Sequence, residues 1–191
     1  MAQEKKVAIV TAGGGGIGRA TALELRDRGY DLALMSRSDA CEKAAAEVEG
    51  LGIRGSVTEA QDLSRLVEAA MDRFGRIDSV VCHTAHPPKG DLLDINDEAW
   101  HLGLDMLILN VVRLTRAITP IMEKQGGGSW VNISTFAAFE PEQALPVSCT
   151  LRAGLSAFAK LYADRYAGAN IRMNNVLPGF IDSLQHSETV L

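Results

Sequence analysis

Val7-Ala8-Ile9-Val10-Thr11-Ala12-Gly13-Gly14-Gly15-Gly16-Ile17-Gly18-Arg19 decides the fold of this chain. A β-branched run ends in a glycine-dense turn, and an Ala/Leu-rich segment of helical period follows at once. That order sets backbone N–H groups and the positive end of a helix dipole where a pyrophosphate can sit. The turn must be tight, the backbone must approach the phosphates closely, and a small residue is needed where helix touches strand. Gly14, Gly16 and Gly18 fill those roles, and Thr11 at the strand end and Ile17 under the loop are expected cofactor contacts with them. A glycine-rich turn alone is weak evidence. Its place between strand and helix in the first βαβ unit makes dinucleotide binding the preferred reading over a flexible loop.

Outward from the loop, strand-like and helix-like segments alternate with short joints. Strands are expected over residues 7–10, 31–35, 53–57, 79–82, 130–133 and 171–177. Helices are expected over 18–28, 39–49, 63–74, 97–124 and 146–167. The alternation predicts right-handed βαβ units and an α/β fold, a Rossmann-like doubly wound parallel β-sheet flanked by helices on both faces. No repeat or linker interrupts it, so residues 1–191 are expected to form one dinucleotide-binding domain.

The composition is that of an ordinary globular protein, 47% hydrophobic and 23% charged. A net charge of −5 without a Lys/Arg block argues against a nucleic-acid or anionic-membrane partner. The apolar run near the N-terminus is too short for a signal-peptide core or a membrane span. Cys41, Cys82 and Cys149 lack metal-ligand spacing and read as free thiols in a reducing cytoplasm. No His/Cys/carboxylate cluster supports a metal.

Cofactor choice is written at the end of the second strand, where NAD selection usually needs an acidic residue for the ribose 2′-hydroxyl. Here Ser36 and Arg37 stand instead. Arg37, with Arg19 beside the loop, can pair with a 2′-phosphate by charge-assisted hydrogen bonds. NADP(H) is therefore favoured, and nearby Asp39 keeps NAD(H) as the alternative.

Four motifs in order resemble the short-chain dehydrogenase/reductase (SDR) family over nearly the whole chain. Thr11 to Gly18 resembles its Thr-Gly-x-x-x-Gly-x-Gly turn, with Ala12 in place of the first glycine. Arg73-Phe74-Gly75-Arg76-Ile77-Asp78 is similar to the lead into its fourth strand, and Val131-Asn132-Ile133-Ser134 to its fifth. Asn174-Asn175-Val176-Leu177-Pro178-Gly179 resembles its sixth strand and the Pro178-Gly179 turn that borders the nicotinamide. The resemblance implies hydride transfer between a nicotinamide and a small-molecule carbonyl or alcohol substrate. It also implies a homodimer or homotetramer built on the two long helices. Measured against the family pattern, residues 1–191 are expected to lack the usual C-terminal strand and helix.

The family's proton relay is where the match fails. Its Tyr-x-x-x-Lys falls on Ser148-Cys149-Thr150-Leu151-Arg152, its serine on Thr135 and its helix asparagine on Leu107, with Asn110 one turn further along. Thr135 keeps a hydroxyl for a substrate oxygen, and Arg152 keeps a charge but cannot lose its proton at working pH. Ser148 is the serious loss, because an aliphatic hydroxyl is far less acidic than a phenol near pKa 10. His83 and His86 could titrate in the cleft, although the preferred reading makes His83 a backbone hydrogen-bonder and His86 a turn cap. The sequence thus leaves two functions open. One is an oxidoreductase with a weakened relay over Thr135, Ser148 and Arg152; the other is a catalytically inactive nucleotide-binding or scaffold homologue.

Overall fold

A computed structural model describes residues 5–179 and 181. Six parallel strands lie in the order β3-β2-β1-β4-β5-β6: β1 (Val7–Thr11), β2 (Asp31–Ser36), β3 (Leu51–Arg54), β4 (Ser79–Cys82), β5 (Gly128–Ile133) and β6 (Ile171–Val176). The crossovers are α1 (Gly16–Asp27), α2 (Ala40–Glu47), α3 (Ala60–Phe74), α4 (Asp97–Leu104), α5 (Asn110–Gln125) and α6 (Pro146–Tyr166). This is the Rossmann-like doubly wound sheet expected from the alternation. The chain reverses direction across the sheet between β1 and β4, where such sheets open a crevice.

Side-chain alternation along the strands divides the core. Ile9, Ala33 and Met35 face Leu66, Leu114, Trp130 and Leu155 on one side. Ala8, Val10, Leu32 and Leu34 meet Ala22, Cys41 and Ala44 on the other. Both faces of β1 are covered, which explains its uninterrupted apolar run. At β6 only one face is filled: Ile171 and Met173 are buried, whereas Arg172, Asn174 and Val176 are exposed.

Two departures from the sequence expectation stand out. The third strand runs Leu51–Arg54 rather than 53–57, because Leu51 and Gly52 pair with Ala33 and Leu34. Gly52 is required there by contact rather than by a turn, since a Cβ would lie 2.7 Å from the Glu42 Cα. The helix expected over 97–124 is interrupted by a π turn, Asp105–Leu109, between α4 and α5.

The glycine loop carries two backbone constraints. Gly18 sits so close to the end of β1 that a Cβ would lie 2.2 Å from the Ala12 carbonyl oxygen. Ala12 itself has φ +49°, a left-handed conformation that costs an L-residue roughly 1–2 kcal/mol. Ala12→Gly is therefore expected to raise unfolding free energy by about 0.5–1 kcal/mol, after the entropy of the added glycine is subtracted. Gly18→Ala should lower it by at least about 1–3 kcal/mol through overpacking. Urea denaturation of the two variants beside the parent chain measures both signs.

Candidate functional site

A cleft of about 980 Å³ opens at the C-terminal ends of β1, β2, β4 and β5. The glycine loop and the Ser36-Arg37-Ser38 segment line one end, and Ser134, Thr135, Ser148, Arg152, Pro178 and Gly179 line the other. No Asp or Glu is among the described lining residues, which carry Arg37, Arg152, His83 and His86. A protein with net charge −5 thus presents a cleft lined by cations and neutral groups.

At the loop end, α1 starts at Gly16 with no side-chain cap and no acidic residue in its first turn. Its first amides consequently lack side-chain partners and, with the helix dipole, favour an anion. Added Cβ atoms at Gly15 and Gly16 would meet nothing within 4 Å, whereas one at Gly14 would lie 2.8 Å from the Ser36 Oγ. Gly14 is therefore required by its packing against Ser36 and Ala40, while the space over Gly15 and Gly16 is open. Ile17 lines the cleft, but Gly18 and Thr11 are buried behind its wall. The Thr11 hydroxyl donates to the His83 carbonyl at 2.7 Å and accepts from the His83 amide at 2.9 Å.

Of the two guanidiniums offered by the sequence, only Arg37 faces the cleft. Arg19 pairs with Glu47 on α2 and is not in the lining. Asp39 is engaged at 2.9 Å by Lys43, which holds its carboxyl below the usual range. Arg37 is exposed and joins no ion pair among the described residues.

The opposite floor is built by one face of α6. Ser148 and Arg152, four residues apart, point the same way and are 5% and 7% exposed. The Arg152 Nη1 donates to the Ile133 carbonyl at 2.5 Å. Burial brings its guanidinium down to about 10, so it remains a cation at neutral pH. The Thr135 hydroxyl accepts from the Ala137 amide at 3.3 Å, and the Ser134 Oγ is buried without a partner. The Pro178-Gly179 turn is held beside them by hydrogen bonds from the Ser134 amide to the Val176 carbonyl and from the Phe136 amide to the Pro178 carbonyl.

Behind the floor lies a small cavity of about 10 Å³, bounded by His83, Leu107, Asn110 and Arg152 among others. Leu107 and Asn110, one turn apart at the π turn, both reach it. The Asn110 Nδ2 donates to the Met106 carbonyl, while its Oδ1 and the His83 Nδ1 are buried without partners. Sequence reasoning left Ser134 out and placed Asn110 only one turn beyond the matched position. The readable signal for both was a polar residue inside an otherwise apolar segment. His83 also differs from expectation: its main chain bonds to Thr11, while the ring nitrogen has no backbone partner. Cys82 is no nucleophile, because burial pushes its thiol up to about 12.

Burial, with the Arg152 charge and then His86, lowers His83 to about 4 from 6.5. The folded chain thus holds this imidazole neutral, while the unfolded chain takes up the proton first as pH falls. His83 costs no stability above pH 6.5; between pH 6.5 and 4 it should remove about 3 kcal/mol, and little more below that. His83→Asn is expected to abolish that segment of the pH dependence. Urea unfolding at pH 7 and pH 4.5 checks it, and identical losses in both proteins would refute the assignment.

Comparison with known proteins agrees with this geometry. The short chain dehydrogenase family profile matches residues 6–189. Dehydrogenase/reductase SDR family member 4 of Oryctolagus cuniculus is 38% identical over 183 residues, covering 92% of this chain and 70% of that protein. The Homo sapiens protein of the same name is 37% identical over 183 residues, 92% of this chain and 66% of its own length. The chain therefore spans about two thirds of the length of these relatives. A crystal structure of L-sorbose reductase from Gluconobacter frateurii, complexed with NADPH and L-sorbose, superimposes with a TM-score of 0.94 at 27% identity. That match covers 99% of this chain and 74% of the reductase. The chain belongs to the short-chain dehydrogenase/reductase family of oxidoreductases.

Proposed function

We propose that this chain binds NADP(H) and passes a hydride to or from a carbonyl or alcohol carbon over the Ser148–Arg152 floor, with a weakened proton relay. One observation carries the reading: one cleft, with no Asp or Glu among its described lining residues, joins an amide-lined glycine loop to a floor of hydroxyls and a buried guanidinium. The open space over Gly15 and Gly16 fits a closely approaching diphosphate, and Arg37 is placed for a 2′-phosphate. NADPH bound in the sorbose reductase, a structural neighbour, supports the same choice over NAD(H). When bound, the dinucleotide supplies or accepts the hydride.

The remaining work falls to the chain's own residues. Gly15 and Gly16 amides balance the diphosphate charge, and Thr11 and Gly18 hold the loop in shape from behind. Pro178 and Gly179 back the nicotinamide. Arg152 and Ser148 donate toward a substrate oxygen, with Thr135 beside them. No floor residue, however, has the acidity of a phenol. Loss of general acid–base help typically lowers rates 10²–10⁴-fold, about 3–5 kcal/mol of barrier. A second reading, a catalytically inactive nucleotide-binding homologue, is favoured by one specific fact. His83 is held near 4 and Arg152 near 10, so neither exchanges a proton readily at neutral pH.

Titration of NADPH and NADH, followed by nicotinamide fluorescence, is expected to show tighter NADPH binding. Arg37→Ala should weaken NADPH about 10-fold or more and leave NADH within about threefold, as loss of one charge-assisted contact predicts. Failure to bind either dinucleotide overturns the proposal. Turnover with a carbonyl panel separates the two readings. Ser148→Tyr with Arg152→Lys should raise it by about 10²–10⁴ if only the relay is missing.

A further inference from the structure

Arg152 is a buried cation without a carboxylate. It joins no ion pair among the described residues, and the one hydrogen bond of its guanidinium goes to a neutral acceptor, the Ile133 carbonyl. The Ser134 Oγ nearby is buried and unpartnered, and Ser148 lies one turn away on the same face of α6. All three line the cleft, whose described walls contain no Asp or Glu. Burying a charge is unfavourable unless it is paired. Among the described residues no carboxylate pairs with Arg152, although Arg152, Ser134 and Ser148 all line the open cleft.

The geometry points to a carboxylate-binding subsite: the substrate carries a carboxylate next to its reacting carbon, as in a 2-oxo acid or 2-hydroxy acid, and Arg152 anchors it. This deepens the hydride-transfer reading and rests on it for the reaction, although not for the binding. A guanidinium fork matches the two oxygens of a planar carboxylate, a fit that an ammonium does not reproduce. Ser134 and Ser148 supply donors to the remaining lone pairs. Such an anchor fixes the neighbouring carbonyl by geometry, which suits a site that positions its substrate better than it moves protons.

Sodium oxamate and neutral oxamide, alike in shape and different in charge, are the probes. Isothermal titration of the full chain near pH 7.5, with and without saturating NADPH, is expected to give oxamate at least tenfold tighter than oxamide. The preference should fall below twofold in Arg152→Met and survive in part in Arg152→Lys. NADPH affinity should change less than threefold in both variants. Equal binding of the two probes, no uptake of either, or a preference that survives Arg152→Met overturns the proposal. So does a tenfold loss of NADPH affinity in Arg152→Met without an oxamate preference in the parent chain, which would assign the guanidinium to the cofactor. If Arg152→Met fails to fold by circular dichroism, a crystal of the parent chain with oxamate decides, and oxamate away from Arg152 overturns it. Oxamate preference without NADPH binding leaves this subsite standing and removes the dinucleotide reading alone.

Discussion

Two hydrogen bonds on one hydroxyl clip the sheet together at the point where it must open. Thr11, 2% exposed, uses its Oγ1 both to donate to the His83 carbonyl and to accept from the His83 amide. The residues that follow part company, one chain turning into the glycine loop and the other into residues 83–88. Their separation is the cleft. Without that hydroxyl both His83 main-chain groups would be left unpaired at the end of the ladder, at roughly 1–3 kcal/mol each. At the opposite end of the same strands the Asp78 carboxylate accepts from the Val7 amide at 2.8 Å and from Arg76 at 2.7 and 2.9 Å. Fixed at both ends, β1 gives the glycine loop a rigid base.

The cleft's electrostatics come from where the carboxylates are placed. Asp39 is held by Lys43, Glu47 by Arg19 and Asp105 by Arg113, all away from the lining. Exposed pairs of this kind add little stability, typically 0–1 kcal/mol. Their effect here is that no described carboxylate pairs with Arg37 or Arg152 at the two ends of one crevice. Arg113 goes further, donating to the Thr58 carbonyl at 2.9 Å while pairing with Asp105 at 2.6 Å. It thereby joins the loop after β3 to the π turn beneath the floor.

Much of this was legible in the sequence because strand and loop requirements leave strong local marks. Alternation of strands and helices gave the layer order, and Gly14 and Gly18 stand where no side chain fits. Thr11 was read as a cofactor contact, but its hydroxyl is spent across the sheet, a 72-residue separation that no local pattern reveals. The π turn was invisible for another reason: it changes backbone hydrogen bonding within a run of apolar residues, so no periodicity is broken. Leu51 and Gly52 were missed as strand because glycine there answers to the approach of α2, not to a bend. Arg19 and Arg37 look equivalent in sequence, and only the position of Glu47 separates them.

One cause underlies both the strength and the weakness of the floor. Burial between α6 and β5 makes the Arg152 charge effective, because few waters screen it. The same burial, reinforced by that charge, keeps His83 neutral far below physiological pH. An imidazolium beside a buried guanidinium would place two like charges at the small cavity they share, so the site can hold one cation but not two. Replacing a titrating phenol by Ser148 in this setting leaves no neighbour able to take over its proton. On the proposed function the floor would fix and stabilise negative charge on a ligand, and a proton would have to reach it from the open side of the cleft.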